Sequence, residues 1–298
     1  RSLAQLKAKE AVGGCCLLAV TPADDLAGRA ADPFCGSGVL GAINELADFS
    51  HSKAIADLIS DGNAAKDRLI LTLGRIGPPR YANFIGRWRD DADPEIRRSV
   101  ASALGSLDNP GVTIPVLVQL LARGTAADAF GVKWEASESL VRIAKRPGGD
   151  AVRPRLVALL GEPDGVTAAL AARTLAAAGD ARGVTKLREL AGHADARARQ
   201  EAVLALGALP DRGGADGARR RLKDDNLAVR ATAIYALGRI AGAAAAAELR
   251  AAGQDALAYE TQLEAKRRSA GESEETLRQR YGLGVFDLRE TLQQALTP

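Results

Sequence analysis

A short motif returns along this chain every 31 to 36 residues, and it restricts the possible folds more than any other feature. Its clearest copies, LTLGRIG, SALGSL, ALGALP and ALGRIAG, place a glycine at Gly74, Gly105, Gly207 and Gly238. Two weaker copies between them have Val141 and Ala176 at the glycine position. A period of this length predicts one small supersecondary unit per copy, which buries its apolar side by stacking on the next copy.

Two polar positions precede the glycine position at constant distances. Twelve and eight residues upstream, the clean copies carry Asp93 and Arg97, Asp195 and Arg199, and Asn226 and Arg230. Asp and Asn are favoured helix N-caps because their side chains accept hydrogen bonds from free backbone N–H groups. An arginine four residues later lies within reach of its own cap or of the neighbouring repeat's cap. One central copy departs from the pattern, because Ala168 replaces the basic residue.

Each copy also predicts two helices. Apolar residues recur at helical spacing after the cap, as in Ile96, Val100, Ala103, Leu104 and Leu107. A second apolar segment follows, as in IPVLVQLLARG or VTKLRELAG, and turns rich in Gly, Asp and Pro separate the segments. Aromatic residues make up only 4% of the chain, which favours helices over strands. We therefore predict an all-α fold built from antiparallel helix pairs.

The Asp-x-x-x-Arg…Ala-Leu-Gly-x-Leu repeat resembles HEAT repeats, in particular the short class found in phycobilin-lyase-type proteins. The resemblance covers residues 37–254 and implies a right-handed α-solenoid of stacked antiparallel helix pairs, HEAT-like or armadillo-like. It leaves residues 1–36 as an N-terminal helical capping segment and residues 255–298 as a C-terminal helical extension. The extension has a narrow apolar stripe that we expect to cap the last repeat, or alternatively to dock a partner: Val285, Leu288, Leu292 and Leu296.

The resemblance also implies a binding function. HEAT-like solenoids mostly present extended surfaces to macromolecules, so we expect a non-catalytic scaffold or adaptor that binds a protein partner and uses no cofactor. Two alternatives stay open: a bilin-lyase-like protein, whose arginines would hold the propionates of a tetrapyrrole, and a nucleic-acid-binding protein. The low aromatic content argues against the aromatic-lined groove that a lyase needs, and a net charge of +3 does not require a nucleic-acid partner.

Basic residues on the second helices are the main candidates for partner binding. In HEAT-like stacks these helices line the concave face, where a basic stripe would hold an acidic protein or a nucleic-acid backbone. The candidates are Arg153, Arg155, Arg182, Lys186, Arg188, Arg219, Arg220 and Lys223. The competing interpretation is a solvated helix surface, on which Glu189, Asp224 and Asp225 dilute the positive charge.

An aromatic and basic cluster, YANFIGRWRDD (81–91), is the second candidate for partner binding. Arg87 and Trp88 are of the residue types that dominate binding hot spots. The competing interpretation is that Phe84 and Trp88, four residues apart, form one apolar stripe along a helix. Trp134 is predicted to lie in the core.

Two features of the sequence suggest enzymes but lack the context that the chemistry needs. ADPFCGSGVL (31–40) resembles the cofactor loop of S-adenosylmethionine-dependent nucleic-acid methyltransferases, but no strand pattern precedes it, and we interpret it as a turn in which Ser37 caps a helix. His51 and His193 lie in predicted turns, where we expect them to be solvated and not catalytic. Neither is followed by Glu, so the paired His-Glu motifs that bind iron in HEAT-repeat deoxyhypusine hydroxylase are absent.

The sequence leaves the compartment open. Cys15, Cys16 and Cys35 are interpreted as buried free thiols; the alternative is one disulfide from Cys35 to Cys15 or Cys16, in an oxidising compartment. VGGC (12–15) weakly resembles a lipoprotein processing site, so export as a periplasmic protein or lipoprotein stands as the alternative to a cytoplasmic location, which we favour. By inspection, no apolar run is long enough to span a bilayer.

Overall fold

The computed structural model describes residues 47–61, 65–123, 129–209, 214–270, 273–282 and 287–296. Every regular element in these ranges is helical, and no strand occurs in them. The all-α prediction is therefore confirmed. The N-terminal capping segment, the three cysteines and the methyltransferase-like loop lie outside the described residues.

The helices alternate between first helices, which carry the repeat motif, and second helices, which follow them. In chain order the helices are α1 (Ser52–Ser60), α2 (Lys66–Ile76), α3 (Ala82–Ile85), α4 (Pro94–Ser106), α5 (Pro110–Ala122), α6 (Ala129–Ala144), α7 (Val152–Leu159), α8 (Gly165–Ala177), α9 (Ala181–Leu190), α10 (Ala196–Ala208), α11 (Ala215–Arg219), α12 (Leu227–Ala241), α13 (Ala246–Ala270), α14 (Glu274–Tyr281) and α15 (Leu288–Leu296). The even-numbered helices from α2 to α12 are the first helices.

The chain divides into two units, Arg1–Val152 and Arg153–Pro298. In the first unit α2 packs against α4, α4 packs against α6, and the second helix α5 contacts α6. In the second unit α8 packs against α10 and α10 against α12, while α9 contacts both α8 and α10. Within each unit, first helices therefore stack on first helices, which is the arrangement of an α-solenoid.

Adjacent first helices approach each other closely at the glycine position. A Cβ atom on Gly74 would lie 2.5 Å from both the Cα and the Cβ of Ala103 in the next first helix. A Cβ on Gly207 would lie 2.6 Å from the Cβ of Ala236 in the same way. Distances below 3 Å leave no room for a methyl group, so the glycine is required for this helix spacing. The predicted role of the position is confirmed.

The predicted N-caps are also confirmed. The side chains of Asp93, Asp164, Asp195 and Asn226 each accept a hydrogen bond from a backbone N–H in the first turn of their helix. The arginine four residues later binds the turn that precedes its own helix. Arg97 Nη1 donates to the backbone carbonyls of Asp91 and Ala92, at 2.7 and 2.8 Å. Arg199 Nη1 donates in the same way to the carbonyls of His193 and Ala194, at 3.0 and 2.9 Å.

A position two residues before the cap couples neighbouring repeats. Asp91 and Asp224 each accept a hydrogen bond of 3.0 Å from the backbone N–H of the following cap residue. Each also binds the basic residue of the preceding repeat: Lys66 Nζ lies 3.4 Å from Asp91 Oδ2, and Arg199 donates through Nε and Nη2 to Asp224 at 2.9 and 2.7 Å. Arg199 therefore joins its own turn to the turn of the next repeat, and it does not bind the cap side chain itself.

The interface between α8 and α10, which we call the joint between these repeats, lacks this ion pair. Ala168 stands at the basic position, and His193 stands at the position that Asp91 occupies between α2 and α4 and that Asp224 occupies between α10 and α12. His193 Nδ1 accepts the hydrogen bond from the cap backbone, at 3.0 Å, and the ring packs so closely on Gly165 that a Cβ there would lie 2.6 Å from His193 Cε1. The expectation of a solvated His193 is wrong, because the half-buried ring replaces an ion pair.

The C-terminal helix α15 packs in the register of a further first helix. A Cβ on Gly238 would lie 2.8 Å from both the Cα and the Cβ of Ala295, and a Cβ on Gly207 would lie 2.9 and 2.6 Å from the same atoms of Ala236. Leu288 is buried together with Ala295, whereas residue 285 of the predicted stripe lies outside the described residues. This packing on α12 supports the predicted capping role of the extension.

One run within the described residues is long and apolar enough to be compared with a membrane span. Leu227–Lys266 contains a window that could cross a membrane by length and composition, although half of that window is buried inside the protein. Core helices pass the same test, so the run is only a weak indication of a span. The backbone at Gly242, with φ of 52°, separates the run into α12 and α13.

Candidate partner-binding surface

The predicted basic stripe lies on the second helices of the second unit. α7 carries Arg153 and Arg155 and no acidic residue, and Arg155 is exposed. α9 carries Arg182, Lys186 and Arg188, of which the two arginines are exposed. Arg219, Arg220 and Lys223 lie at the end of α11 and in the following turn, and all three are exposed.

Several of these cations are paired with carboxylates. Arg182 donates to both oxygens of Asp180, at 3.0 and 2.6 Å, and these hydrogen bonds lower the pKa of Asp180 to about 2. Lys186 Nζ lies 2.8 Å from Glu189 on the same helix. Arg182 and Lys186 are therefore partly neutralised, as the solvated-surface interpretation predicted.

The basic residues that follow α11 are paired with the neighbouring second helix. Arg219 Nε lies 3.2 Å from Glu248 on α13, and the hydrogen bond to Glu248 raises the pKa of Arg219. Lys223 Nζ lies 3.6 Å from Asp255 on the same helix. These acidic partners lie in the next repeat, so the sequence analysis, which compared charges only within one segment, missed them.

Two arginines of the stripe have no carboxylate at ion-pair distance among the described residues. They are Arg155 on α7 and Arg220 after α11, whose Nε donates only to the carbonyl of Asp216, at 3.2 Å. Arg153 Nη2 donates to the carbonyl of Ala178 at 2.9 Å, so it ties α7 to the end of α8. Among the described residues, the stripe's cations without a carboxylate at ion-pair distance are therefore Arg155 on α7 and Arg220 after α11.

The second candidate, around Trp88, does not form the apolar helical stripe of the competing interpretation. The segment is not one helix: α3 ends at Ile85, and Gly86–Asp90 forms a 3₁₀ helix, so Phe84 and Trp88 do not form a continuous α-helical stripe. Trp88 is half-buried, and Lys66 Nζ lies 4.1 Å from the centre of its ring. Since Lys66 also binds Asp91, Trp88 belongs to the joint between α2 and α4. Arg87 is exposed.

Two other predicted positions also need correction. Trp134 is half-buried rather than in the core, and its ring lies 6.1 Å from that of Phe130. His51 is not solvated, because its side chain is 13% exposed and closes a capping box. In that box the backbone N–H of Asp48 donates to His51 Nδ1 at 3.3 Å.

Glu201 on α10 is a buried carboxylate that the sequence analysis did not single out. It is 3% exposed, its Oε1 lies 3.2 Å from Arg197 Nε, and its Oε2 has no hydrogen-bond partner in the described part of the chain. Burial raises the pKa of Glu201, and the nearby Arg197 and Arg173 only partly oppose this. The sequence feature that could have identified Glu201 is an acidic residue on the apolar side of a first helix.

We expect the stability difference between the Glu201→Gln variant and the wild type to depend on pH. Because the pKa of Glu201 is higher in the folded protein than in the unfolded chain, its protonated form favours folding. This contribution is fully present below the pKa of glutamate in the unfolded chain, about 4.3, and is lost as pH rises through the pKa in the folded protein. Because glutamine does not ionise, the variant should gain unfolding free energy relative to the wild type between about pH 4 and neutral pH. Urea unfolding followed by circular dichroism at several pH values measures this gain, and a pH-independent difference would contradict it.

No group of three or more His, Cys, Asp and Glu side chains within the described ranges is placed to hold a metal ion. A cleft beside the start of α5, lined by Leu107, Pro110, Ile143 and Arg146 among others, holds about 10 Å³. That volume suits about one water molecule, and it is far too small for a tetrapyrrole.

Comparison with known proteins gives a match to a repeat family. A family model described as HEAT repeats matches residues 152–223 and 184–267, and this match does not distinguish the phycobilin-lyase type. No curated protein matches the chain. One similar solved structure is human deoxyhypusine hydroxylase in complex with glycerol, which is 18% identical in sequence. The match covers 98% of this chain and 97% of the hydroxylase chain, with a TM-score of 0.37. An engineered protein matches with 21% identity over 72% of this chain and 97% of its own, at a TM-score of 0.34.

Proposed function

We propose that the protein is a scaffold or adaptor that binds an acidic protein partner, as the match of a HEAT-repeat family model to residues 152–267 suggests. The binding surface is formed by α7 and α9 together with Arg220, and we call it the basic surface. All of its residues lie within the part of the chain that the HEAT-repeat model matches. Repeats of this kind present their helices side by side, which suits an extended partner.

The observation that carries the proposal is the uneven neutralisation of the second helices. Acidic residues of α13 pair with Arg219 and Lys223, whereas α7 has two arginines and no acidic residue. Exposed arginines without a carboxylate partner keep their hydrogen-bond donors available for the carboxylates of another protein. A complementary acidic surface would be drawn to this excess charge, mainly through a faster association rate.

We expect charge reversal on the basic surface to abolish partner capture without changing the fold. The variant combines Arg155→Glu, Arg188→Glu and Arg220→Glu, and leaves Arg153 in place because it holds the end of α8. Loss of three interfacial arginines should reduce capture at least about tenfold, since each arginine at the centre of an interface contributes on the order of 1 to 2 kcal/mol. Capture by the immobilised chain from a native extract, with the recovered proteins identified, is the measurement.

A matched control separates a specific surface from net charge. The combination of Arg239→Glu, Arg278→Glu and Arg289→Glu changes the net charge equally but alters exposed arginines on α12, α14 and α15. The control should retain the partner, and both variants should keep the helical content and melting temperature of the wild type. Equal loss in both variants, or in neither, would contradict the proposed surface. Loss of capture after nuclease treatment of the extract would favour the nucleic-acid alternative instead.

A further inference from the structure

The first unit has a second cationic surface, which the proposed function does not use. It lies on the short turns around α3 and consists of Arg80, Tyr81, Phe84 and Arg87, and we call it the cation–ring patch. Both arginines are exposed and both rings are half-buried. The sequence analysis pointed to the neighbouring Trp88, but that residue is held by Lys66 in a joint between repeats.

The backbone that carries the patch is held in place at several points. Pro79–Tyr81 forms a 3₁₀ turn that begins with two prolines, and the side chain of Asn109 donates to the carbonyl of Pro79 at 3.3 Å. Ala82 and Ile85 are fully buried beneath the patch. A partner would therefore meet a preformed surface, and less conformational entropy would be lost on binding.

The two arginines lie against the two rings. The guanidinium carbon of Arg80 is 5.4 Å from the centre of the Tyr81 ring, and that of Arg87 is 5.7 Å from the Phe84 ring. The rings themselves meet edge to face, with their centres 6.3 Å apart. A guanidinium that lies over a ring is restrained, and both arginines are exposed, so the patch holds two restrained cations that carboxylates can reach.

The acidic residues near the patch are already paired with other cations. Asp90 pairs with Arg123 and lies 3.5 Å from Arg89, and Asp91 binds Lys66. Within the described residues, Arg80 and Arg87 have no carboxylate at ion-pair distance. Their positive charge therefore remains available to an anionic partner.

We propose that the cation–ring patch binds an acidic peptide segment of a partner protein. Carboxylates are favoured over nucleic-acid bases because guanidinium groups already lie against both rings, and a base would have to displace one of them in order to stack. The peptide's carboxylates would receive charge-assisted hydrogen bonds from Arg80 and Arg87. The residues of this patch all lie in the first unit, whereas the basic surface belongs to the second unit.

The test uses the full chain carrying the three substitutions of the basic surface, so that binding through that surface is removed. The probe is a fluorescein-labelled peptide of ten glutamates, and its affinity is measured by fluorescence anisotropy at low salt. Adding Arg80→Ala and Arg87→Ala should weaken peptide binding at least about tenfold, through the loss of two charge-assisted contacts. The control adds Arg68→Ala and Arg98→Ala, two exposed arginines of α2 and α4, and should weaken binding less than about twofold.

Three results would overturn the inference. Equal weakening by the two pairs of substitutions would show a response to net charge alone. Unchanged affinity after loss of Arg80 and Arg87 would place the peptide elsewhere. Tighter binding of a labelled oligothymidine than of the peptide would show that the patch prefers nucleic acid. Each result is independent of capture through the basic surface, which the substitutions in the second unit have already removed.

Discussion

The Asp224→Asn substitution should lower the free energy of unfolding by about 3 kcal/mol, because it breaks a buried ion pair between repeats. Arg199 and Asp224 are 8% and 6% exposed, and two hydrogen bonds of 2.9 and 2.7 Å join them. Asparagine has nearly the same side-chain shape as aspartate and can still accept the hydrogen bond from the Asn226 backbone. The loss of unfolding free energy should therefore lie at the lower end of the range for breaking a buried ion pair, about 3 to 5 kcal/mol. Urea unfolding at neutral pH measures the change.

The adjacent aspartate provides the matched control for this prediction. Asp225 also contacts Arg199, at 2.9 Å, but its side chain is 84% exposed. Water screens such a pair, so Asp225→Asn should cost less than about 1 kcal/mol. If both substitutions cost the same, the buried pair does not hold the repeats together.

The same pair predicts how the Asp224→Asn effect changes with pH. Burial alone would raise the pKa of Asp224, but the hydrogen bonds from Arg199 and from the backbone of Asn226 outweigh it, and the pKa of Asp224 is lowered. Because the pKa of Asp224 is lower in the folded protein than in the unfolded chain, its ionised form favours folding. This contribution is present above the pKa of aspartate in the unfolded chain, about 3.9, and is lost as pH falls through the pKa in the folded protein. The difference between wild type and variant should therefore shrink in acid.

The second large effect is expected for Gly74→Ala. A methyl group there would lie 2.5 Å from the Cα and Cβ of Ala103 and 2.9 Å from its carbonyl oxygen, so α2 and α4 would have to move apart. Overpacking of this kind costs about 1 to 3 kcal/mol, and it should exceed the gain of up to about 1 kcal/mol from the better helix propensity of alanine. Thermal and urea unfolding should both show the loss.

The control is the same substitution at a helical glycine that has space around it. Gly111 lies at the start of α5, and a Cβ there would meet only Asn109 Oδ1, at 3.9 Å. Gly111→Ala should leave stability unchanged or raise it by up to about 1 kcal/mol. A loss at Gly111 as large as that at Gly74 would show that helix contact is not what the glycine position serves.

Features that depend on local chemistry could be predicted from the sequence. The caps Asp93, Asp195 and Asn226 follow from the preference of short polar side chains for helix N-termini. The glycine position follows from the repeat itself, because a residue that recurs in register performs the same contact in every copy. Gly74 and Gly207 both confirm this.

The contacts between repeats were harder to predict, because each joins residues about one period apart. The signal was nevertheless present. Asp91 and Asp224 stand where the preceding repeat offers Lys66 and Arg199, whereas the carboxylate is missing after Ala168. Comparing positions one repeat apart, rather than along one helix, would have found these pairs and the neutralisation of Arg219 by Glu248.

The arrangement around Trp88 had no such signal. The spacing of Phe84 and Trp88 fits an α-helix, and only Gly86 between them hinted at the change to a 3₁₀ helix. Tertiary packing decided the conformation, since Trp88 is held by Lys66 from the preceding first helix. Local propensity could not have predicted this contact.

Chemical cross-linking through lysine residues tests the proposed scaffold function most directly. Lys186 and Lys223 stand among the basic residues of the second helices, and Lys53 on α1 is as exposed as Lys223, with 86% and 81% of the side chains accessible. If an acidic partner binds the basic surface, cross-links to that partner should come mainly from Lys186 and Lys223, and the Arg155, Arg188 and Arg220 reversals should remove them. Cross-links that come instead from Lys53 or Lys266, and that persist in the reversed variant, would contradict the proposed function.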